Sequence, residues 1–237
     1  MSTQEWKGAL VVGVSGLGGA AALTLASGGV RRIVLVDPAP AEARDLSGHP
    51  LLAEEDIGQP RAAAAARRLA DRFAGIDVTA PPAAFDERTG PALVASANVV
   101  VDASNLFAAM FAVNDVAAEV GRPVVHAGIL QYSAQLLTTV FGETGCLRCL
   151  FEGPPPPRAG AAPEAEGLAL LAGFAGALVG MEALRMLEGG RAAYAGRLLV
   201  YEARARRSRS VTVKARPGCP ACAAWARAHP AAGGPTA

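Results

Sequence analysis

The 237 residues carry 22 Lys plus Arg against 21 Asp plus Glu, a net charge of +1 that leaves no general basic field for nucleic acid. Hydrophobic residues make up 51% and aromatics only 5%, which requires a core of Ala, Val and Leu and excludes a globally disordered chain. The length suits one α/β domain, expected over residues 1–230 with a frayed tail at 231–237.

Met1 to Lys7 is polar and lacks the basic, apolar and small-residue succession of a signal peptide, so a cytoplasmic protein is expected. Ala9 to Val14 reads as a short apolar strand running into the glycine turn Gly13-Val14-Ser15-Gly16-Leu17-Gly18. A small-residue helix follows from about Gly19 to Ser27, stopped by Gly28-Gly29. Arg32 to Asp37 is a second buried strand ending in an acid, and Pro38 to Pro60 is irregular. A helix from Arg61 to Phe73, strands at Ile76 to Ala80 and Ala97 to Asp102, a helix from Phe107 to Val120 and a strand from Pro123 to Ala127 continue the alternation. Strands alternating with helices predict a Rossmann-like, doubly wound, mostly parallel sheet.

Gln131 to Phe141 is strand-like and predicted antiparallel. After Cys146 to Cys149 comes the proline run Pro154 to Pro157, with a crossover loop to about Glu166. A long helix, Gly167 to Glu188, precedes what reads as the final strand, Gly196 to Glu202. Within that helix, Leu168 to Met181 is apolar apart from glycines, but Glu182 interrupts it short of the ~20 residues that cross a bilayer, so no membrane partner is expected. The basic cluster Arg204, Arg206, Arg207 and Arg209 reads as a solvated strand edge.

Two constellations carry chemistry. The glycine turn follows a strand and opens a helix, so backbone N–H groups at Gly13, Ser15, Gly16 and Gly18 are placed to face phosphates, and Asp37 to bond ribose hydroxyls. Ser15 stands where a glycine would let the backbone come nearest, and a turn that binds nothing is the alternative. The second constellation is Cys146 and Cys149 with Cys219 and Cys222, two CxxC pairs whose spacing suits a closed, tetrahedral structural zinc; a redox pair is the minor alternative. His49 reads as a solvated loop histidine or a phosphate contact, and His126 as a hydrogen-bonded core histidine.

Together these segments resemble the ThiF/MoeB family. So do DIGQPRAAAAARRL (Asp56 to Leu69), NDVAAEVGRPVVHAG (Asn114 to Gly128), Gln135, CLRCLFEGPPPP (Cys146 to Pro157) and RPGCPAC (Arg216 to Cys222). The resemblance implies a protein, usually dimeric, that binds MgATP and adenylates the C-terminal glycine of a small ubiquitin-like or sulfur-carrier protein, with Gly13, Gly16, Gly18, Asp37 and Asp102 at nucleotide positions. It also implies departures at the chemistry. A second acid becomes Ala39, an asparagine becomes Asp45, an arginine becomes Gly48, a glutamine becomes His49, and the triphosphate lysine becomes Arg61. The aspartate associated with magnesium becomes Asn105, a poor ligand for that cation. Arg158 to Glu166 holds no cysteine for a thioester. The expected function is therefore ATP-dependent activation of a carrier protein or peptide with impaired turnover, ATP or AMP being the nucleotides expected to bind, with Arg61, Asp45 and Asn105 at the substituted catalytic positions. The alternative is an inactive binding subunit, homodimeric or paired with an intact relative. A nicotinamide-dependent dehydrogenase satisfies the glycine turn and Asp37 but gives the cysteine pairs no place.

Overall fold

The computed structural model describes residues 8–104, 106–154 and 167–230. Asn105, the crossover segment and the tail lie outside them. Among the described residues eight strands form one sheet: β1 Gly8–Val12, β2 Arg32–Val36, β3 Asp77–Thr79, β4 Val99–Asp102, β5 Val124–Leu130, β6 Ser133–Thr139, β7 Arg197–Glu202 and β8 Arg207–Thr212. Their order is β3-β2-β1-β4-β5-β6-β7-β8, with β1 to β5 parallel and the remaining pairs antiparallel.

Among the described residues seven α-helices accompany the sheet: α1 Gly16–Ser27, α2 Arg61–Arg72, α3 Gly90–Ala95, α4 Phe107–Val120, α5 Leu147–Leu150, α6 Gly167–Leu187 and α7 Pro220–Ala228. The alternation of strand side chains decides which helix covers which face. Ala9 and Val11 of β1 pack with Leu25, Leu69 and Val179 of α1, α2 and α6. Leu10 and Val12 face the other way, with Val94, Val116 and Trp225 of α3, α4 and α7. Burial on both faces is why β1 and β2 read as unbroken apolar runs.

Helix α6 lies unusually close to α1. A Cβ at Gly176 would stand 2.2 Å from the Leu17 carbonyl oxygen, so only glycine lets the two backbones approach this far. Leu168–Leu187 is long and apolar enough by composition to cross a membrane. Here Leu171, Ala175, Val179 and Ala183 face the core, and Glu182 is buried, accepting hydrogen bonds from the Thr138 hydroxyl and the Ala193 and Tyr194 N–H groups.

One reading is corrected. Gly196 to Glu202 is not the final strand, since β8 follows it; the segment RSRSVT buries none of its residues and so carries no apolar alternation to announce it. The sequence also gave no warning of α3 and α7, which are short. The antiparallel expectation for residues 131–141 is met by β6.

Candidate nucleotide site and four-cysteine centre

The sheet order reverses between β1 and β4: the chain leaves β1 toward β2 on one side and takes up β4 on the other. Ligands of such sheets bind in the crevice at the strand carboxyl ends where this happens, and the glycine turn sits there. Gly13 adopts φ +84°, a left-handed conformation open to glycine at little cost, and its N–H bonds the Val36 carbonyl at 2.8 Å. A Cβ at Gly18 would lie 1.9 Å from the Gly13 oxygen, so glycine is also required to close the turn. Helix α1 starts at Gly16, with Ser15 as an N-cap whose hydroxyl makes no capping bond. The Gly19 N–H reaches the Ser15 carbonyl at 2.7 Å, while among the described residues no acceptor meets the N–H groups of Gly16, Leu17 and Gly18. Three open donors at the positive end of a helix can hold an anion.

Beside the turn lies a compact charged trio. Asp37 accepts the Val14 N–H at 2.7 Å on Oδ2 and the Ala39 N–H at 2.9 Å on Oδ1. Arg61 donates Nη1 to Asp37 at 3.2 Å, and Nη2 to both Asp45 Oδ2 at 3.1 Å and the Pro40 carbonyl at 3.1 Å. All three side chains are about nine-tenths buried, and Arg61 Nε has no partner among the described residues. Two carboxylates and one guanidinium give the mouth of the turn a net charge of −1. The guanidinium is spent on its own carboxylates.

His49 is buried, not a solvated loop histidine. Its Nε2 donates to the Val14 carbonyl at 2.7 Å, because Nδ1 accepts the Leu51 N–H at 3.1 Å. Burial pushes its pKa below the ordinary 6.5, although the Val14 carbonyl and nearby Asp45 oppose this. The ring lies over Gly19, where a Cβ would come within 2.4 Å of it. Gly48, one residue earlier, faces the first turns of α6: a Cβ there would stand 2.6 Å from Ala169 Cβ and 2.8 Å from Ala169 Cα.

At the end of β4, Asp102 is wholly buried. Its Oδ1 accepts the Ser104 N–H at 3.1 Å and hydroxyl at 2.7 Å, and Oδ2 pairs with His126 Nδ1 at 2.7 Å. His126 is thus a bonded core histidine as expected, with both Asp102 oxygens engaged within the protein. Asn105 follows directly but lies outside the described residues.

The four cysteines converge from α5 and α7 on the opposite face. The Sγ separations are 3.8 Å for Cys146–Cys149, 3.7 Å for Cys146–Cys219, 3.6 Å for Cys149–Cys222 and 3.8 Å for Cys222–Cys146, and all four atoms lie within 4.8 Å of one another. A tetrahedron with Zn–S bonds of about 2.3 Å has S–S edges of about 3.8 Å, so the donor set fits zinc. The thiol chemistry agrees. Hydrogen bonding from Cys222 draws Cys146 down to about 5, while burial and neighbouring thiolate charge push Cys219 up to about 11. A cation at the centre would offset the repulsion between neighbouring thiolates. The centre is tied to α4: Asn114 accepts the Leu147 N–H at 3.1 Å, and Asp115 takes a bidentate Arg148 pair at 2.6 Å on each oxygen. Sequence reasoning missed that pair, whose partners are 33 residues apart.

The model of the ThiF family matches residues 6–221. The chain belongs to the ThiF family. Among curated relatives it is 36% identical to a sulfur carrier protein adenylyltransferase of Thermus thermophilus over 221 residues, covering 90% of this chain and 81% of that protein. It is 31% identical to the sulfur carrier protein ThiS adenylyltransferase of Escherichia coli, covering 90% and 84%. Among solved structures, E. coli MccB with ATP superposes with a TM-score of 0.77 at 21% identity, over 93% of this chain and 68% of that one, which shows a shared fold. The ThiF motif DIGQP has a structural role here: buried Asp56 accepts the Ala53 N–H at 2.9 Å and pairs with Arg67 and Arg68, pinning the loop to α2.

Proposed function

We propose that this ThiF-family chain binds an adenine nucleotide at the glycine turn and activates the C-terminal carboxyl group of a small sulfur-carrier or ubiquitin-like protein, or a peptide, with reduced turnover. The Thermus and Escherichia relatives, named as carrier-protein adenylyltransferases, support the substrate class. The reading is carried by one observation: three open N–H groups at the start of α1 stand beside an Arg61 already neutralised by Asp37 and Asp45.

In this reading Gly16, Leu17 and Gly18 hold the nucleotide phosphates near the α-phosphorus that the partner's carboxylate oxygen attacks as pyrophosphate leaves, and Gly13, Ser15 and Asp37 shape the turn that carries them. Adenylyl transfer develops charge on the leaving pyrophosphate, and preorganised cations are what stabilise it. Arg61 is the cation at hand, but Asp45 holds it back and the trio adds a net negative charge. Neither Gly48 nor Asn105 replaces the missing charge. The cysteine centre holds zinc as a closed structural site, which supplies no open coordination position for chemistry. The protein acts in the cytoplasm as one half of a dimer, with itself or with a more complete relative. The apolar stripe Leu170, Phe174 and Met181 along the exposed side of α6 supports pairing.

Carrier-dependent exchange of labelled pyrophosphate into ATP tests the reading. Slow exchange that requires the carrier is expected. Nucleotide binding with no exchange for any carrier ending in glycine would favour the second reading, an inactive subunit that recruits the partner; Arg61's engagement with two carboxylates is the observation on its side.

A further inference from the structure

The end of the sheet that carries the glycine turn also carries a basic ledge that the activation chemistry does not use. Strand β5 runs parallel to β4, so its carboxyl end at Leu130 emerges at the same end of the sheet as the turn. The β5–β6 hairpin reverses there, and the β7–β8 hairpin reverses beside it, joined by the Ala203 N–H to the Tyr132 carbonyl at 2.9 Å. Between residues 202 and 209 stand four arginines and one glutamate, a net of +3 in a chain whose whole charge is +1.

The one acid is already shared. Glu202 pairs with Arg207 at 2.9 Å and with Arg209 at 3.7 Å. Among the described residues no carboxylate lies within ion-pair distance of Arg197, Arg204 or Arg206. Arg204 is instead stacked 3.7 Å over the centre of the Tyr132 ring, which holds its guanidinium flat and outward. Arg206 sits in the turn at φ +49°, a left-handed conformation where glycine or asparagine costs less, yet the chain spends an arginine there. All six residues of β8 are exposed, so these arginines contribute nothing to the core. Discouraging edge-to-edge aggregation would account for charge on β8. It does not account for Arg204 and Arg206, which lie in the turn beyond the strand. The neighbouring Leu130, half exposed, adds an apolar contact at the same tip. Arginine and tyrosine around a small apolar centre is the composition that anchors protein partners.

We infer that these two hairpin tips form the docking ledge for an acidic segment of the protein partner whose C-terminus is activated. The choice of that partner rests on the proposed function; the charge and geometry of the ledge do not. Opposite charge at the end of the sheet that carries the turn would steer the partner and leave its tail aimed at the nucleotide.

The test uses the full chain, without nucleotide, and a fluorescent 16-residue peptide rich in Asp and Glu and ending in Gly-Gly. Anisotropy at low salt is expected to show binding that weakens with added salt and falls at least tenfold in Arg204→Gln/Arg206→Gln/Arg209→Gln. The triple variant Arg72→Gln/Arg88→Gln/Arg227→Gln removes the same charge elsewhere and is expected to bind within twofold of the parent. Equal loss in both variants, or no peptide binding by the parent, overturns the ledge. So does tighter binding of a 16-nucleotide single-stranded DNA through the same arginines. Because nucleotide is absent, specific peptide binding without pyrophosphate exchange sinks the activation reading while the ledge stands.

Discussion

The cysteine centre and the mouth of the glycine turn make an instructive pair. At the first, four donors from two segments 70 residues apart meet at the separations a tetrahedral ion dictates, and Asn114 and Asp115 brace them from α4. At the second, the backbone cradle is intact, but the charged side chains have turned to one another: Arg61 bonds Asp37 and Asp45 rather than open space. One region presents a full set of donors for an ion; the other spends its one cation on its own carboxylates. A fold can keep its scaffold under tight constraint while the electrostatics of its cleft drift, because the two draw on different residues.

The sharpest break in this contrast is metal removal. Cys219→Ser, or prolonged chelation, is expected to take the metal content from one ion per chain to none and to lower stability by more than about 4 kcal/mol, the range in which loss of a structural metal falls. Elemental analysis and urea denaturation read both, and a metal-free parent with unchanged stability would sink the zinc assignment. Next comes Arg61→Ala, which strands two buried carboxylates and should cost about 3–5 kcal/mol in the same denaturation assay. Arg61→Lys should recover part of it.

Asp45→Asn sharpens the comparison from the other side. Freeing Arg61 from one carboxylate should raise ATP affinity about tenfold, equivalent to about 1.4 kcal/mol, with a smaller gain for AMP. Calorimetry showing equal gains for both nucleotides would mean that Asp45 does not act on the distal phosphates. His49 provides a pH signature. Burial holds its folded pKa below the ordinary 6.5, so the unfolded chain takes up the proton first. Its contribution is complete above about 6.5 and drains as pH falls toward the folded value, with a slope of at most about 1.4 kcal/mol per pH unit. Denaturation midpoints across that range should show the slope in the parent and lose it in His49→Gln. The smallest effect belongs to Arg206→Gly, expected to change stability by no more than about 1 kcal/mol, in the stabilising direction, since glycine accepts the left-handed turn.

Much of this was legible before any coordinates. Val11, Val34 and Val100 belong to strands buried on both faces, and such runs announce themselves. The cysteine spacing did the same for the metal centre, and the aspartate-ended β2 for the cleft. What could not be read were pairings between distant residues. His49 looked like a loop residue because the room it occupies is made by Gly19, thirty positions earlier. The exchanges at 45 and 61 were visible one by one, but that they bond each other is a fact of three-dimensional approach. Strand β8 was visible only as a solvated strand edge around Arg207 and Arg209 and its bounds were missed, because an edge strand with no buried residue has no hydrophobic period to detect.

The contact between Gly48 and Ala169 bears on which side chains position 48 can accept. Helix α6 presses its own main chain against this residue, so even a Cβ there would collide with Ala169. A cation introduced at 48 alone would meet helix atoms before reaching any phosphate. It would need α6 to retreat at the same time, so the loop and the helix can change only together.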